Sequence, residues 1–185
     1  WKEHHVAHRN DNQGVVRNRT GVLQLTNGSD NVVHTGTFAV DAGAELRFLG
    51  PQTFVNTISG AGNVTFSQFH DYTVDAASFA LDGTVTVENG GKGVWSGDGT
   101  IRNLRFSSGT FLPTGHVDVI DRARVDGIGF VSGAVASRTR FLDGLDLQAN
   151  FIVSTGAVEL GGDTVVQGSV GLGVGNGATL TVLSG

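Results

Sequence analysis

The sequence predicts an all-β protein, with a right-handed parallel β-helix, a solenoid of about eight or nine stacked coils, as the preferred architecture. Three observations support it. Short runs of alternating apolar residues follow one another along most of the chain. Glycine contributes 29 of the 185 residues but proline only 2. A turn motif also recurs at the spacing of one coil. A β-sandwich, which likewise uses short strands and glycine-rich turns, is the alternative.

The predicted strands are short, and Gly, Asn, Asp or Ser separates them. Their β-branched and aromatic residues, with a period of two, are typical of strands. No long window free of glycine shows helical spacing, so helices are not predicted. The strand runs are residues 22–25, 38–40, 45–48, 63–66, 84–87, 102–106, 117–120, 128–131, 151–153, 165–166 and 179–182.

Repeated turns favour the solenoid over the sandwich. Residues 40–46 and 174–180 share the pattern V-x-x-G-A-x-L, and residues 153–158 match its first six positions. The last two copies start at Val153 and Val174, and this separation is the length expected of one solenoid coil. The dipeptide Ser-Gly recurs at 59, 96 and 132, at intervals that would each hold two coils. In such a fold the eleven phenylalanines are expected to stack inside.

The chain divides into two parts by composition. Residues 1–20 are polar and aperiodic, which predicts a linker or an N-terminal cap, and residues 21–185 are predicted to form the solenoid. The sequence contains no methionine, so we expect it to be a piece of a longer protein. No apolar run approaches the roughly 18 residues of a membrane span.

Composition excludes several kinds of chemistry. The chain has no cysteine, which rules out disulfides and thiolate metal sites. Its formal net charge of −5 argues against nucleic-acid binding, which needs clustered cations to neutralise phosphates.

The turn motifs, the Ser-Gly-x-Gly segments at Ser59 and Ser96, and the run at 83–90 resemble right-handed parallel β-helices. The resemblance is closest to bacterial autotransporter passengers and to pectin-lyase-like surface proteins, and it covers roughly residues 21–185. It implies an exported, cell-surface or secreted rod that often serves as an adhesin stalk. These motifs specify architecture and name no ligand.

Enzymes of the pectin-lyase-like group carry acidic and basic residues on one outer face of the solenoid, where they act as general acids and bases. The nearest counterpart here is the set His116, Asp118, Asp121 and Arg122. The paired adjacent aspartates, the His-Gly and the Arg-x-Lys of that group are missing. We therefore prefer ion pairing of the two aspartates with nearby arginines, and keep a polysaccharide lyase or hydrolase as an alternative.

Six arginines form the candidate ligand-binding set. Arginines two residues apart project from one face of a strand, and the nearly equal steps from Arg105 to Arg122 and from Arg122 to Arg138 suggest a ladder across successive coils. Such a ladder would hold carboxylate or sulfate groups of an acidic glycan. The alternative is charge pairing with the acids of the same stretch. The arginines are Arg102, Arg105, Arg122, Arg124, Arg138 and Arg140, and the acids are Asp118, Asp121, Asp126, Asp143 and Asp146.

No metal site or cofactor is predicted. His4 and His8 have the spacing of one helix face, and with His5 they offer three imidazoles, but the glutamate of the H-E-x-x-H motif is missing. We interpret them as adventitious ligands on a flexible tail. The glycine-rich run 90–95 has tryptophan where calcium-binding β-rolls have aspartate.

Four other residues have structural interpretations. His34 and His70 are expected in turns or at the surface. Tyr72 and Trp95 lie beside apolar runs and are expected in the core, although they would stack on sugar rings if exposed.

The sequence thus predicts a non-catalytic extracellular module, a rigid stalk that binds an acidic glycan or a cell-surface protein. The alternatives are the enzyme fragment and a self-assembling surface-layer component that stacks through open solenoid ends. A groove lined by the four candidate catalytic residues would favour the enzyme. Pairing of those residues across coils would favour the stalk.

Overall fold

The computed structural model describes residues 4–7, 11–26 and 31–183. They form a parallel β-solenoid of about eight turns, which confirms the predicted fold class. In these residues every strand pairing is parallel and joins strands of neighbouring coils. The one helical turn described is a 3-10 turn at Ala76–Ser78.

Each coil contributes to three sheet faces. Face 1 contains β1 (His4–Ala7), β3 (Gly21–Thr26), β6 (Ala44–Leu49), β9 (Asn63–Ser67), β12 (Thr84–Glu88), the second halves of β14 (Gly99–Ser107) and β16 (His116–Val125), β19 (Leu145–Leu147) and β21 (Val165–Val166). Face 2 contains β4 (Val32–His34), β7 (Gln52–Phe54), β10 (Asp71–Asp75), β13 (Lys92–Ser96), β15 (Gly109–Pro113), β17 (Gly129–Ser132), the first half of β20 (Phe151–Leu160) and β22 (Leu172–Val174).

Face 3 completes the triangle. It contains β2 (Val15–Asn18), β5 (Thr37–Val40), β8 (Ile58–Gly60), β11 (Phe79–Leu81), the first halves of β14 and β16, β18 (Arg138–Phe141), the second half of β20 and β23 (Ala178–Val182). Along the chain each coil runs from face 3 to face 1 and then to face 2. Alternate side chains point into the triangle, so apolar residues of successive coils stack there into one core.

Glycine makes the corners that the repeated motif predicted. Gly43 and Gly177 have φ of 77° and 82°, a conformation that favours glycine. In the first of these turns the Ala44 amide donates to the Asp41 carbonyl at 3.0 Å. Val153 and Val174 lie directly over one another, which confirms the coil length predicted at this end of the chain. The copy at residues 40–46 serves a different corner, between faces 3 and 1.

Aromatic rings fill much of the core. Nine of the eleven phenylalanines are buried, and neighbouring rings such as Phe48 and Phe66 stack with centroids 5.6 Å apart. Trp95 and Tyr72 are fully buried, which confirms their predicted place in the core. The expectation was wrong for Phe69, which is 83% exposed at a corner. It was also wrong for Phe130, which points outward because Gly129 and Val131 take the inward positions of β17.

Strands lie on both sides of the predicted boundary at residue 20. β1 pairs with β3, and β2 pairs with β5. His4 and His5 belong to β1, so they lie on a strand and not on the flexible tail that was expected. His8 lies outside the described residues, and its predicted adventitious metal binding stays a prediction.

The Tyr72 hydroxyl satisfies buried backbone groups at the corner between faces 1 and 2. It lies 2.9 Å from the Phe48 carbonyl, contacts the Ser67 carbonyl, and accepts a hydrogen bond from the Gly50 amide at 3.3 Å. Burial raises the pKa of Tyr72 to about 12 from its ordinary value of 10.0. The neutral phenol is therefore part of the folded structure.

Tyr72 is the single tyrosine, so its ionisation can be followed directly in the full chain. We expect tyrosinate absorbance to appear near pH 12 in the folded protein and near pH 10 in denaturant. Because the unfolded chain loses this proton first, the free energy of unfolding should fall as the pH rises above about 10. Ionisation of Tyr72 near pH 10 while the native circular dichroism is retained would contradict the raised pKa. The variant Tyr72→Phe gives the background absorbance.

His34 lies in the core, and the expectation of a turn or surface position was wrong. Its ring stacks on Phe54 with centroids 5.1 Å apart and is fully buried. The backbone amide of Asn12 donates to His34 Nδ1 at 3.2 Å. His34 Nε2 therefore carries the proton and donates to Gln52 Oε1 at 2.8 Å. Desolvation lowers the pKa of His34 against the weaker opposing effects of Gln52 and Asp11. The neutral ring thereby links residues 11–14 to face 2.

We expect His34 to contribute a pH-dependent part of the stability. Below its ordinary pKa of 6.5 the unfolded chain binds a proton that the folded ring does not, so the free energy of unfolding falls as the pH decreases. Urea titrations of the wild type and of His34→Gln across this range test it, because the other titrating groups are common to both. The wild-type advantage should shrink with falling pH, and a constant difference would contradict the prediction.

Candidate functional site

Three of the four candidate catalytic side chains pair between coils, whereas His116 is linked to the neighbouring coil through its backbone amide. Asp118 accepts a hydrogen bond from Arg140 Nε at 2.6 Å, and Asp121 accepts one from Arg102 Nε at 2.7 Å. Arg122 Nη2 lies 3.9 Å from Asp146 Oδ2, and the His116 amide donates to Asp98 Oδ1 at 2.7 Å. Both aspartates thus have a guanidinium from a neighbouring coil as partner.

These residues also lie apart on the surface. His116 and Asp118 belong to the half of β16 on face 3, whereas Arg122 belongs to the half on face 1. The two surface grooves that Arg122 lines receive no contribution from His116, Asp118 or Asp121. By the criterion set from the sequence, pairing across coils favours the stalk.

The six arginines do not form one ladder. Arg105 lies directly over Arg124, and Arg122 over Asn103, on the outside of face 1. Arg138 and Arg140 lie over His116 and Asp118 on face 3. The reason is coil length, because Asp118 and Arg140, which lie over one another, are 22 positions apart in the chain. The shorter step from Arg122 to Arg138 does not complete a coil and therefore ends on another face.

Ion pairs with the predicted acids hold most of these arginines. The hydrogen bonds that Arg102 donates to Asp82 and Asp121 raise the pKa of Arg102, and the hydrogen bond that Arg105 donates to Asp126 raises the pKa of Arg105. Asp118 raises the pKa of Arg140 in the same way. The remaining three contacts are longer: Arg122 to Asp146 and Arg138 to Glu159 at 3.9 Å, and Arg124 to Asp126 at 3.7 Å.

A shallow groove follows the outside of face 1. Its central section has a volume of about 270 Å³, and sections of about 260 and 250 Å³ adjoin it through shared residues. We call this surface the face-1 groove. It reaches from β6 to β21, which is about 29 Å at the spacing of parallel strands. The central section is lined by Thr84, Asn103, Leu104, Arg105, Arg122 and Arg124.

The central section is rich in hydrogen-bond donors. Arg105, Arg122 and Arg124 bring three guanidinium groups from two adjacent strands, and Arg122 has a side chain 68% exposed. Their acidic partners are Asp126 and Asp146, which are only 15% and 18% exposed. The central section therefore has three cations against two recessed carboxylates, whereas Glu45 and Glu88 on one side and Asp143 and Asp163 on the other line the adjoining sections, so the positive charge is confined to the central section. Such an arrangement can hold an anionic group through charge-assisted hydrogen bonds.

In the section that adjoins on the β6 side, threonine hydroxyl groups form the floor of the groove, which was not predicted from the sequence. Thr65 and Thr86 point outward but are nearly buried, at 4% and 9% exposure, because longer side chains flank them. Thr65 Oγ1 donates to Glu45 Oε1 at 2.8 Å, and Arg47 Nε donates to the same oxygen at 3.0 Å. In the structure residues 47, 65, 86, 105 and 124 form one column of register, and unequal coil lengths hid this column in the sequence.

Among the described residues, no group of three or more His, Cys, Asp or Glu side chains is arranged to hold a metal ion. In the same part of the chain, no helix has the length and apolar character needed to cross a membrane.

Comparisons with known proteins name no relative. No protein-family model matches the chain, and searches of curated proteins and of solved structures give no match. The structure therefore defines a class, the parallel β-solenoids, and the function must be argued from the geometry of its surfaces.

Proposed function

We propose that this chain is a non-catalytic adhesion module, a rigid rod at the cell surface or in the extracellular space, of the type found in autotransporter passengers and pectin-lyase-like surface proteins. Its partner is an acidic glycan or a cell-surface protein bound along face 1. The observation that carries the proposal is the arginine-lined central section of the face-1 groove. The sequence motifs support the family type, and the β-solenoid is consistent with it.

Binding without catalysis is favoured by how the charged groups are used. A general acid or base needs a carboxyl or imidazole free to reach a substrate. Asp118 and Asp121 instead accept short hydrogen bonds from arginines of neighbouring coils. Carboxylates held in this way link neighbouring coils of the solenoid.

The groove suits a chain molecule better than a small ligand. It is open and shallow, and equivalent side chains recur at about 4.8 Å from one coil to the next. A linear glycan lying along the solenoid axis meets guanidinium groups in the central section and the hydroxyl group of Thr84 beside them. Each contact is weak, and affinity comes from their number.

Self-assembly through solenoid ends is a second candidate function. In the last described coil the inward positions are apolar but exposed, including Val166, Leu172, Val174 and Val182. A further coil stacked on this end would bury them, as neighbouring coils bury equivalent residues elsewhere.

Retention on a column of immobilised sulfated or carboxylated polysaccharide tests the adhesion proposal. We expect the triple variant Arg105→Gln, Arg122→Gln, Arg124→Gln to bind about tenfold or more weakly, because up to three charge-assisted contacts are lost. The single variant Arg122→Gln should weaken binding less and leave the melting temperature unchanged, since its ion pair is long and exposed.

The matched control is Arg138→Gln with Arg140→Gln, which removes two arginines from face 3. Equal losses in the control and the face-1 variants would indicate only a general charge effect and would contradict the proposed site. Unchanged retention of the triple variant would refute it. Release of shortened or unsaturated sugars during incubation would favour the lyase or hydrolase instead.

A further inference from the structure

The sign of the charge changes twice along the face-1 groove. The central section carries Arg105 on β14 and Arg122 and Arg124 on β16, which are neighbouring strands. Glu88 lies one strand before them, on β12. Asp143 lies one strand after them, in the corner just before β19. All three guanidinium groups therefore lie between two carboxylates that line the same groove.

These two flanking carboxylates differ from the acids that pair with the arginines. Asp126 is recessed and contacts a guanidinium group, whereas neither Glu88 nor Asp143 has an ion-pair partner in the described part of the chain. The hydrogen bond to Asp126 is the main cause of the raised pKa of Arg105, and the negative charge of Glu88 adds to it. The flanking charges are therefore directed to the groove and are not neutralised by partners.

The section that attracts anions is short. The strands β12, β14, β16 and β19 are consecutive on face 1, so the flanking carboxylates are about 14 Å apart along the solenoid axis at the spacing of parallel strands. An anionic group bound at the arginines lies between them. A second anionic group further along the same ligand approaches Glu88 or Asp143, and like charges brought together discriminate against such a partner.

The lining of the groove is polar, which favours a glycan over a protein. Leu104, Ala123 and Leu145 line the groove through the sheet itself, but their side chains are buried in the core. Val165, at the far end, is the one exposed large apolar side chain among the described lining residues. Protein partners usually dock through apolar and aromatic anchors, and the central section offers no place for them.

Uncharged polar groups continue from the arginines toward β9. Arg122 lies over Asn103, and Asn103 lies over Thr84, so one column of register passes from a guanidinium to an amide and then to a hydroxyl group. Such groups can hydrogen-bond the hydroxyl groups of an uncharged sugar. The groove thus presents one cationic section with neutral hydrogen-bonding groups beside it.

We propose that the central section selects a linear glycan in which an isolated sulfate or carboxylate group lies between uncharged sugar units. Glu88 and Asp143 are then specificity-determining residues that exclude densely charged glycans. This inference rests on the proposed function, because it names the ligand class of the same groove.

Two dextran sulfates of equal chain length test the proposal, one sulfated on few of its glucose units and the other on nearly all. The affinity of the full chain for each is measured by calorimetry at low ionic strength and expressed per sulfate group, since salt screens exposed charges. We expect the wild type to bind the sparsely sulfated dextran about tenfold more tightly than the densely sulfated one. Carboxymethylated dextrans of the same two densities show whether sulfate or carboxylate is preferred.

The variant Glu88→Gln with Asp143→Asn should bind the densely sulfated dextran about tenfold more tightly than the wild type does, because the repulsion is removed. Its affinity for the sparsely sulfated dextran should stay within about twofold of the wild-type value. The matched control is Asp71→Asn with Glu159→Gln, which removes the same charge from faces 2 and 3, where both acids make only long ion pairs. A thermal melt followed by circular dichroism checks that both variants fold.

A gain for the dense dextran in the groove variant alone supports the proposal. An equal gain in the control indicates a general charge effect and overturns the proposal, as does a wild type that binds both densities equally well per anionic group. In either case the adhesion function stands if the triple arginine variant loses both dextrans. A wild type that binds neither the sulfated nor the carboxymethylated dextrans refutes binding of an acidic glycan in this groove, and this inference with it.

Discussion

The parallel pairing of each coil with the next is the constraint on which the rest of the structure depends. It places residues about 20 positions apart directly over one another, so a side chain at one position has the equivalent position of the neighbouring coil within reach. Inward columns become the aromatic core, as with Phe48 over Phe66. Outward columns become cross-coil ion pairs, such as Asp118 with Arg140, or a lined groove, such as Arg105 beside Arg124. Core, charge network and candidate site all follow from one register.

The strands and corners on which this register depends could be predicted from the sequence, but the number of residues in each coil could not. Alternation located the strands, and glycines that need positive φ marked corners such as the one at Gly43. Coil length varies, however: the coil that brings Val64 over Leu46 is shorter than the coil that brings Arg140 over Asp118. An error of a few positions moves a side chain to another face, which is why the arginine ladder was predicted wrongly and the threonine floor of the groove was missed.

Burial of single polar or aromatic residues was harder to predict than strand position. His34 was expected at the surface because imidazole is polar, but partners from other coils, Asn12 and Gln52, satisfy both of its nitrogens. Phe130 was expected inside because phenylalanine is apolar, but Gly129 and Val131 hold the inward positions. In both cases the deciding information is register between coils distant in sequence, and residue type alone does not carry it.

Ion pairing and ligand binding by the face-1 arginines are compatible functions of the same side chains. Exposed ion pairs contribute about 0–1 kcal/mol, so a guanidinium can exchange a carboxylate for a ligand anion at little cost in stability. The recessed Asp126 contacts both Arg105 and Arg124 and limits their rotamers before any ligand arrives. Arg122, with its long contact to Asp146, keeps more of its donors available to the groove. The acids that compete for these arginines therefore also orient them. Because these side chains are already ordered when the chain folds, less conformational entropy is lost when a ligand binds.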